Sequence, residues 1–385
     1  MRLLIAGGGT GGHIYPALAV VDALRRRATD AEIRWLGGQR GLEARLVRDA
    51  GIPLRRLVVR SLRSADRDLH LVLDPLRLAA SLPQALAILA TDRPAAIFTT
   101  GGYAAIPVVL AARLLAIPVL LWEGNRRPGR SAGAISGLVQ AVAVSFADTC
   151  RALAGRAACF ETGTPIRDLA GADRAASRAR LDVPAEASVV LVFGGSQAAR
   201  RLNLAVSAAL PELVERRVVI HVTGDDDYAT ALASREQLPA TVRGRYRPVP
   251  YLREVMGDAL ASADLVVGRA GSSTLAEATA LGLPLVVVPY PYAGGHQADN
   301  AASFADAGAA ILVPDEAFDG RALVAATSVL DDPARVAAMR GASRRLGRPG
   351  AAGAVADLLL ALARRGSLPT PAEIAWLSTG GEGRA

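Results

Sequence analysis

The 385-residue sequence contains no lysine, so all 44 of its basic side chains are arginines. Without lysine the chain can neither form a Schiff base with a carbonyl substrate nor carry a Walker-type phosphate-binding lysine. The net charge of +8 is therefore an arginine surface, which favours anionic partners such as phosphates, acidic lipids or nucleic acid. Aromatic side chains make up only 4% of the sequence, and no nucleic-acid-binding module is recognisable, so we expect no nucleic-acid partner.

Cysteine, histidine and long apolar runs are also scarce. Cys150 and Cys159 are the only cysteines, too few for a disulfide framework, which favours a reducing compartment. The four histidines are scattered without metal-ligand spacing, so we expect no metal and no cofactor. The segment before the first glycines is too short in apolar residues for a secretory signal. The most apolar stretch, residues 104–122, is interrupted by Arg113 and two prolines, which predicts buried strands and a helix rather than a membrane span.

Short apolar runs alternate with longer helical patterns along the chain, which is typical of a parallel sheet with helices on both faces. A strand that runs into a glycine-rich turn occurs twice, at residues 1–13 and again at 188–200. The sequence therefore predicts an α/β fold of two doubly wound, Rossmann-like domains that face a central cleft. We expect a first domain at 1–164, a second at 165–345, a helix at 350–365 that packs back on the first domain, and a disordered tail at 366–385.

The first glycine-rich turn, "GGGTGGHIYPALA" at residues 7–19, matches the G-x-G-x-x-G pattern of dinucleotide-binding loops. In such loops bare backbone approaches the ligand, and the N–H groups of the following helix bind its oxygens. A dinucleotide site also needs an acid at the end of the second strand, where this chain has Gly37 and Gly38, and Glu43 lies too far along to serve. We therefore expect a different ligand, with His13 as either a general base or a residue that only positions substrate.

The second half carries the strongest binding signal, "GRAGSSTLAE" at residues 268–277. Its serines and threonine would place amides and hydroxyls at a helix N-terminus, where the macrodipole favours a diphosphate. Glu277 can accept hydrogen bonds from both ribose hydroxyls, although it could equally serve only as a charge at the helix start. Residues 289–302 follow the next strand, and their amide and carboxylate side chains suit the hydroxyls of a sugar.

Together these segments resemble the MurG family of peptidoglycan N-acetylglucosaminyltransferases. The resemblance runs in the family's order across about residues 1–345 and is carried by these segments: "GGTGGHIYPALA", "TTGGYAAIPVVLAA", "GTPIR", "FGGSQAAR", "GRAGSSTLAE" and "PYPYAGGHQADNA". It implies the two-domain GT-B fold, with the acceptor on the first domain and the UDP-sugar mainly on the second. It also implies an inverting transfer of N-acetylglucosamine from UDP-N-acetylglucosamine to the C4 hydroxyl of undecaprenyl-diphospho-N-acetylmuramoyl-pentapeptide, which turns lipid I into lipid II in peptidoglycan synthesis.

The resemblance further implies the site residues. His13 is the implied catalytic residue, and Glu123 is a second-choice base or an orienting partner. The implied UDP-N-acetylglucosamine-binding residues are Thr10, Gly11, Gly12, Asn125, Arg167, Ser196, Leu252, Ser272, Ser273, Thr274, Glu277 and Gln297. The chain departs from the family at 122–125, where it reads Trp-Glu-Gly-Asn and the family usually reads His-Glu-Gln-Asn.

The implied acceptor is anchored in a bilayer, so the resemblance places the enzyme as a peripheral protein on the cytoplasmic side of the cell membrane, with cell-wall synthesis proteins as further partners. Residues 60–89 mix leucines with Arg60, Arg63, Arg67 and Arg77, and an apolar patch ringed by arginines would bind an anionic membrane surface. A loop followed by an ordinary core helix is the alternative. Two other functions stay open: a related GT-B transferase with another lipid acceptor, and a nucleotide-sugar-binding protein without catalysis.

Overall fold

The computed structural model describes the chain except for residues 40, 60–69, 154, 156, 196–199, 253–254, 293–294 and 382–385, and for residues 70–75 it describes the backbone only. The chain divides into two compact units. The first comprises Met1–Arg167 with Arg348–Ala385, and the second comprises Asp168–Gly347.

Strands and helices alternate along the described chain. The strands are β1 (Arg2–Ala6), β2 (Glu32–Gly37), β3 (Leu54–Arg56), β4 (Ala96–Thr99), β5 (Val119–Glu123), β6 (Ala141–Val144), β7 (Ala158–Glu161), β8 (Val189–Phe193), β9 (Val218–Val222), β10 (Tyr246–Val249), β11 (Leu265–Gly268), β12 (Leu285–Val287) and β13 (Ala310–Leu312). The α-helices are α1 (Gly11–Arg27), α2 (Glu43–Asp49), α3 (His70–Asp92), α4 (Ala105–Leu114), α5 (Arg130–Ile135), α6 (Ala147–Ala152), α7 (Arg174–Arg180), α8 (Arg200–Arg216), α9 (Asp225–Glu236), α10 (Ala240–Arg243), α11 (Met256–Ser262), α12 (Ser272–Ala280), α13 (His296–Asp306), α14 (Gly320–Thr327), α15 (Pro333–Leu346), α16 (Ala351–Ala363) and α17 (Pro371–Ser378).

The first unit is built on a seven-stranded parallel sheet in the order β3-β2-β1-β4-β5-β6-β7. Its central strands are buried on both faces, as a parallel sheet covered by helices requires. The strand order reverses between β1 and β4, where Leu3 pairs with Ala96. Ligands of open α/β folds bind at such a switch point, so the loops after β1 and β4 form the expected binding edge.

The second unit repeats this design with a six-stranded parallel sheet in the order β10-β9-β8-β11-β12-β13. Its switch point lies between β8 and β11, where Phe193 pairs with Gly268. The turn after β11 leads into α12, which carries the serines and threonine singled out in the sequence. The predicted α/β fold of two doubly wound parallel sheets is thereby confirmed.

The C-terminal segment returns to the first unit. α16 packs on α1 with Val355, Leu358 and Leu359 fully buried, and Asp357 pairs with Arg27 at 2.8 Å. Within the described residues, one stretch, Pro333–Ala363, is long and apolar enough to cross a membrane. It spans α15 and the core helix α16, and 61% of its apolar window is buried.

Two expectations need correction. The tail was predicted to be disordered from residue 366, but Pro371–Ser378 forms α17, whose start is fixed by a capping box between Thr370 and Glu373. Ile374 is fully buried, so burial of an apolar side chain stabilises the helix against α16 and β7. The low cysteine count also failed to predict a disulfide between Cys150 and Cys159, whose Cα atoms lie 5.9 Å apart.

Candidate active site

In the first unit, β1 ends in the glycine loop, residues 7–10, which leads directly into α1. Gly9 has a φ of +96°, a left-handed conformation that glycine adopts without steric cost. The amide of His13 donates to the carbonyl of Thr10 at 3.1 Å and is the first such bond of α1. The N–H groups of Gly11 and Gly12 precede it and have no acceptor within the helix. Together with the positive end of the helix dipole, these N–H groups can bind an anion.

His13 lies on the first turn of α1 and is held by the loop after β4. Its Nδ1 lies 2.7 Å from the carbonyl oxygen of Thr100. Because a carbonyl oxygen only accepts hydrogen bonds, Nδ1 carries the proton of the neutral ring and Nε2 carries the basic lone pair. The Thr100 hydroxyl is buried and has no hydrogen-bond partner among the described residues. The hydrogen bond from Nδ1 to the Thr100 carbonyl oxygen therefore sets the tautomer that a general base needs.

Both carboxylate oxygens of Glu123, at the end of β5, accept hydrogen bonds from the loop that follows. Its Oε1 accepts from the backbone N–H and the side-chain amide of Asn125, both at 2.9 Å, and its Oε2 accepts from Gly129 N–H at 2.8 Å. Glu123 is 6% exposed, so these bonds are shielded from water. This geometry fits the orienting role expected for Glu123 and gives Asn125 a defined position.

The departure from the family at Trp122 is explained by packing. Trp122 is 2% exposed, and its indole N–H donates to the carbonyl oxygen of Gly163 at 3.1 Å. The side chain therefore belongs to the core of the first unit. Its apolar ring is removed from water, and its indole N–H has a hydrogen-bond acceptor.

In the second unit, α12 starts at the carboxyl edge of β11 with Ser272, Ser273 and Thr274 in its first turn. The Ser273 hydroxyl is buried and lacks a hydrogen-bond partner within the described chain. Buried polar groups are normally satisfied, so an orphaned hydroxyl at a helix start suits a ligand oxygen. Glu277 follows on the next turn and is 7% exposed.

Gln297, on the first turn of α13, holds the loop after β12. Its side-chain oxygen accepts from Tyr290 N–H at 2.9 Å. The ring of Tyr290 lies 5.4 Å from the guanidinium carbon of Arg269, which donates to the carbonyl oxygen of Val288 at 3.1 Å and to Asp315 at 2.5 Å. Arg269 thus ties the turn before α12 to the loop before α13.

The remaining predicted residues are more dispersed. Leu252 is buried in the segment after β10, and Arg167 is the last residue of the first unit before the chain enters the second. Ser196 lies outside the described residues. Sequence reasoning missed Arg269, although its place between a buried strand and the Gly-Ser-Ser-Thr turn was visible. It also set aside Glu43, whose carboxylate lies against the glycine loop.

Comparison with known proteins agrees with this geometry in both units. Residues 3–144 match the model of the glycosyltransferase family 28 N-terminal domain, and residues 189–352 match that of the family's C-terminal domain. A UDP-N-acetylglucosamine--N-acetylmuramyl-(pentapeptide) pyrophosphoryl-undecaprenol N-acetylglucosamine transferase of Desulforudis audaxviator is 39% identical over 95% of this chain and 100% of its own length. The transferase of the same name from Anaeromyxobacter sp. is 38% identical over 95% of this chain and 94% of its own length.

Solved structures show the same fold. The crystal structure of Acinetobacter baumannii MurG matches with a TM-score of 0.75 and 28% identity, and the match covers 93% of this chain and 99% of that one. A UDP-N-acetylglucosamine 2-epimerase from Listeria monocytogenes matches with a TM-score of 0.64 over 96% of this chain and 98% of that one. At 14% identity the epimerase shares the fold alone.

Proposed function

The chain belongs to glycosyltransferase family 28 and, within it, to the MurG transferases, and from this membership we infer its reaction. It transfers N-acetylglucosamine from UDP-N-acetylglucosamine to the C4 hydroxyl of lipid I, with inversion at the anomeric carbon, and so makes lipid II. The observation that carries this inference is the 39% identity to a named transferase over that relative's entire length.

Donor binding is assigned to the second unit. The N-terminus of α12 would bind the diphosphate through its backbone amides and the orphaned Ser273 hydroxyl. Glu277, on the same helix, would accept hydrogen bonds from the ribose hydroxyls, and Gln297 would bind the N-acetylglucosamine. The backbone of Leu252 would contact the uracil. Asn125, Arg167 and Ser196 as ligands of UDP-N-acetylglucosamine stay predictions.

The chemical step is assigned to His13. Its Nε2 takes the proton from the acceptor's C4 hydroxyl as that oxygen attacks C1 of N-acetylglucosamine from the face opposite UDP. The C4 oxygen–C1 bond forms, the bond from C1 to the diphosphate oxygen breaks, and UDP leaves with the electron pair. The Thr100 carbonyl, 2.7 Å from Nδ1, keeps the proton on the other nitrogen and stabilises the imidazolium that results.

Two further contributions support this step. The dipole of α12 offsets the charge that develops on the donor's diphosphate, and the dipole of α1, with Thr10, Gly11 and Gly12 at its start, favours an anionic substrate group beside His13. Glu123 acts as the orienting partner of Asn125, because both its oxygens already accept hydrogen bonds from the loop.

A purified-enzyme assay tests this function and separates the rivals. Wild-type protein is incubated with UDP-N-acetylglucosamine and a lipid I analogue, and both UDP release and the disaccharide product are measured. We expect both products in equal amounts. UDP binding without turnover would favour the non-catalytic binding protein, and turnover only with another lipid acceptor would favour the related transferase.

The enzyme acts on a membrane lipid, and we assign its membrane contact to the first unit at the cytoplasmic face. Leu110 and Leu114 on α4, which packs on α3, are exposed, as are Leu115 directly after α4 and Leu76 on α3. Exposed leucines with arginines nearby suit an anionic bilayer surface. Of the expected arginines, Arg60, Arg63 and Arg67 lie outside the described residues. Cell-wall synthesis proteins as partners stay a prediction.

Liposome co-sedimentation tests the membrane contact. Changing both Leu110 and Leu114 to serine is expected to release the protein from vesicles that contain anionic phospholipid, because it removes apolar area from the contact. Leu204→Ser is the matched control, since Leu204 is 61% exposed on α8 of the second unit. Equal sedimentation of both variants would refute the assignment.

A further inference from the structure

Glu43, the first residue of α2, is a buried carboxylate bound to the glycine loop. It is 1% exposed; its Oε2 accepts from Gly9 N–H at 3.0 Å and its Oε1 accepts from Gly38 N–H at 3.2 Å. In return, the N–H of Leu42 lies 3.4 Å from the carbonyl oxygen of Gly9. Both polar backbone groups of Gly9 are thus tied to the start of α2.

The surrounding glycines leave space for this carboxylate. A Cβ on Gly8 would lie 2.5 Å from Glu43 Oε1, and one on Gly37 would lie 3.1 Å from Glu43 Cγ. A Cβ on Gly41 would overlap Oε2. Gly8, Gly37 and Gly41 therefore leave room for a side chain of the protein itself next to Gly9, the second glycine of the dinucleotide-like pattern.

The Glu43 carboxylate can take the place of a bound phosphate as a negatively charged hydrogen-bond acceptor. In dinucleotide-binding folds the amides after the first strand bind pyrophosphate oxygens. A carboxylate likewise carries negative charge and only accepts hydrogen bonds, so it can satisfy the same amides. With the N–H groups of Gly9 and Gly38 occupied, those of Thr10, Gly11 and Gly12 at the start of α1 are the next donors along the loop.

We propose that Glu43 is a positioning and specificity residue: an internal anion that fills the phosphate position of the glycine loop and confines any substrate phosphate that meets this loop to the start of α1, beside His13. This role rests on the proposed transferase function. A phosphate at the Gly9 amide is excluded because the amide is already bonded and the two anions would repel one another. The same contacts fix the backbone that leads into Thr10 and His13.

Pyrophosphate binding tests the specificity half of the proposal. Inorganic pyrophosphate is titrated into wild type, Glu43→Ala and Glu32→Ala by calorimetry, with saturating UDP present to fill the diphosphate site of the second unit. Loss of the anion exposes two amides, so Glu43→Ala should bind pyrophosphate at least about tenfold more tightly than wild type. Glu32, half-exposed on β2, is the matched control and should leave the affinity unchanged. Equal affinity in wild type and Glu43→Ala would overturn the proposal.

Turnover tests the positioning half with a milder change. Glu43→Gln keeps the side-chain volume but turns an NH₂ group toward one of the two amide donors, which misplaces the loop. We expect kcat to fall about tenfold while the affinity for UDP, held by the second unit, stays at the wild-type value. A wild-type kcat in Glu43→Gln would overturn the positioning role. If Glu43→Ala does not fold, as judged by its melting transition, Glu43→Gln takes its place in the titration, because it too removes the charge.

The two failures remain distinguishable. An inactive wild type would refute the proposed function, whereas the pyrophosphate titration needs no turnover and would still report on Glu43. An active wild type with no change in Glu43→Ala and Glu43→Gln would refute only the role of Glu43.

Discussion

The second unit contains a buried histidine whose protonation should set how its stability depends on pH. His221 on β9 is 1% exposed; its Nε2 lies 2.9 Å from Asn203 Oδ1, and its Nδ1 lies 2.9 Å from the Tyr246 hydroxyl. The Asn203 amide nitrogen donates to Thr223 O and to Asp227, so its oxygen faces the ring and Nε2 carries the proton. The neutral ring is therefore satisfied on both sides.

Burial lowers the pKa of His221 from 6.5 to about 4, although the charge of Asp227 opposes this shift. In the unfolded chain the ring binds a proton below about pH 6.5, whereas in the folded chain it does so only below about pH 4. The unfolded state therefore binds more protons in this window, and stability falls as the pH drops from 6.5 to 4. A difference of about 2.5 pKa units corresponds to about 3 kcal/mol.

Urea unfolding of wild type and His221→Gln between pH 7.5 and 4 measures this dependence. We expect the second unit of wild type to lose about 3 kcal/mol more over this range than the variant does, because the variant cannot take up the proton. Tyr246→Phe is the control: it removes the hydrogen bond to Nδ1 and lowers stability at neutral pH, but it keeps most of the dependence on pH, because burial of the ring is the main cause of the lowered pKa. Identical pH dependence in wild type and His221→Gln would refute the reasoning.

Two further predictions concern the candidate site. Ser273→Ala removes a buried hydroxyl that has no partner in the described chain, so the melting temperature of the free enzyme should not fall, while the Kd for UDP measured by calorimetry should rise about fivefold. An unchanged Kd would remove Ser273 from the site. Glu123→Gln turns an amide NH₂ toward N–H donors of Asn125 or Gly129 and should cost about 1–3 kcal/mol in the unfolding of the first unit, together with a lower kcat. Unchanged stability together with an unchanged kcat in Glu123→Gln would contradict the orienting role.

Much of the fold could be predicted because its signals are local. The strands predicted before the two glycine-rich turns, β1 and β8, are the first strands of the two parallel sheets in the described chain. The turn at 268–277 likewise lies where the sequence predicts, at the start of a helix on the carboxyl edge of a sheet. Each of these features depends on residues that are neighbours in the chain.

The features that escaped prediction depend on long-range contacts or on weak local signals. Glu43 bonds to Gly9 across 34 positions, whereas the sequence analysis considers it only as a ribose ligand, for which it lies too far beyond the end of β2. The bond between Glu123 and Gly129 requires knowledge of how the loop folds back. The disorder predicted for the tail rests on its polar, glycine-rich composition, which takes no account of the local capping box formed by Thr370 and Glu373.

The catalytic role of His13 is tested most directly by the turnover of His13→Ala with UDP-N-acetylglucosamine and a lipid I analogue, with UDP affinity measured on the same preparation. The account predicts that kcat falls by about 10²–10⁴-fold, because the base is lost, and that UDP binds as in wild type. A folded His13→Ala protein with wild-type turnover would contradict it.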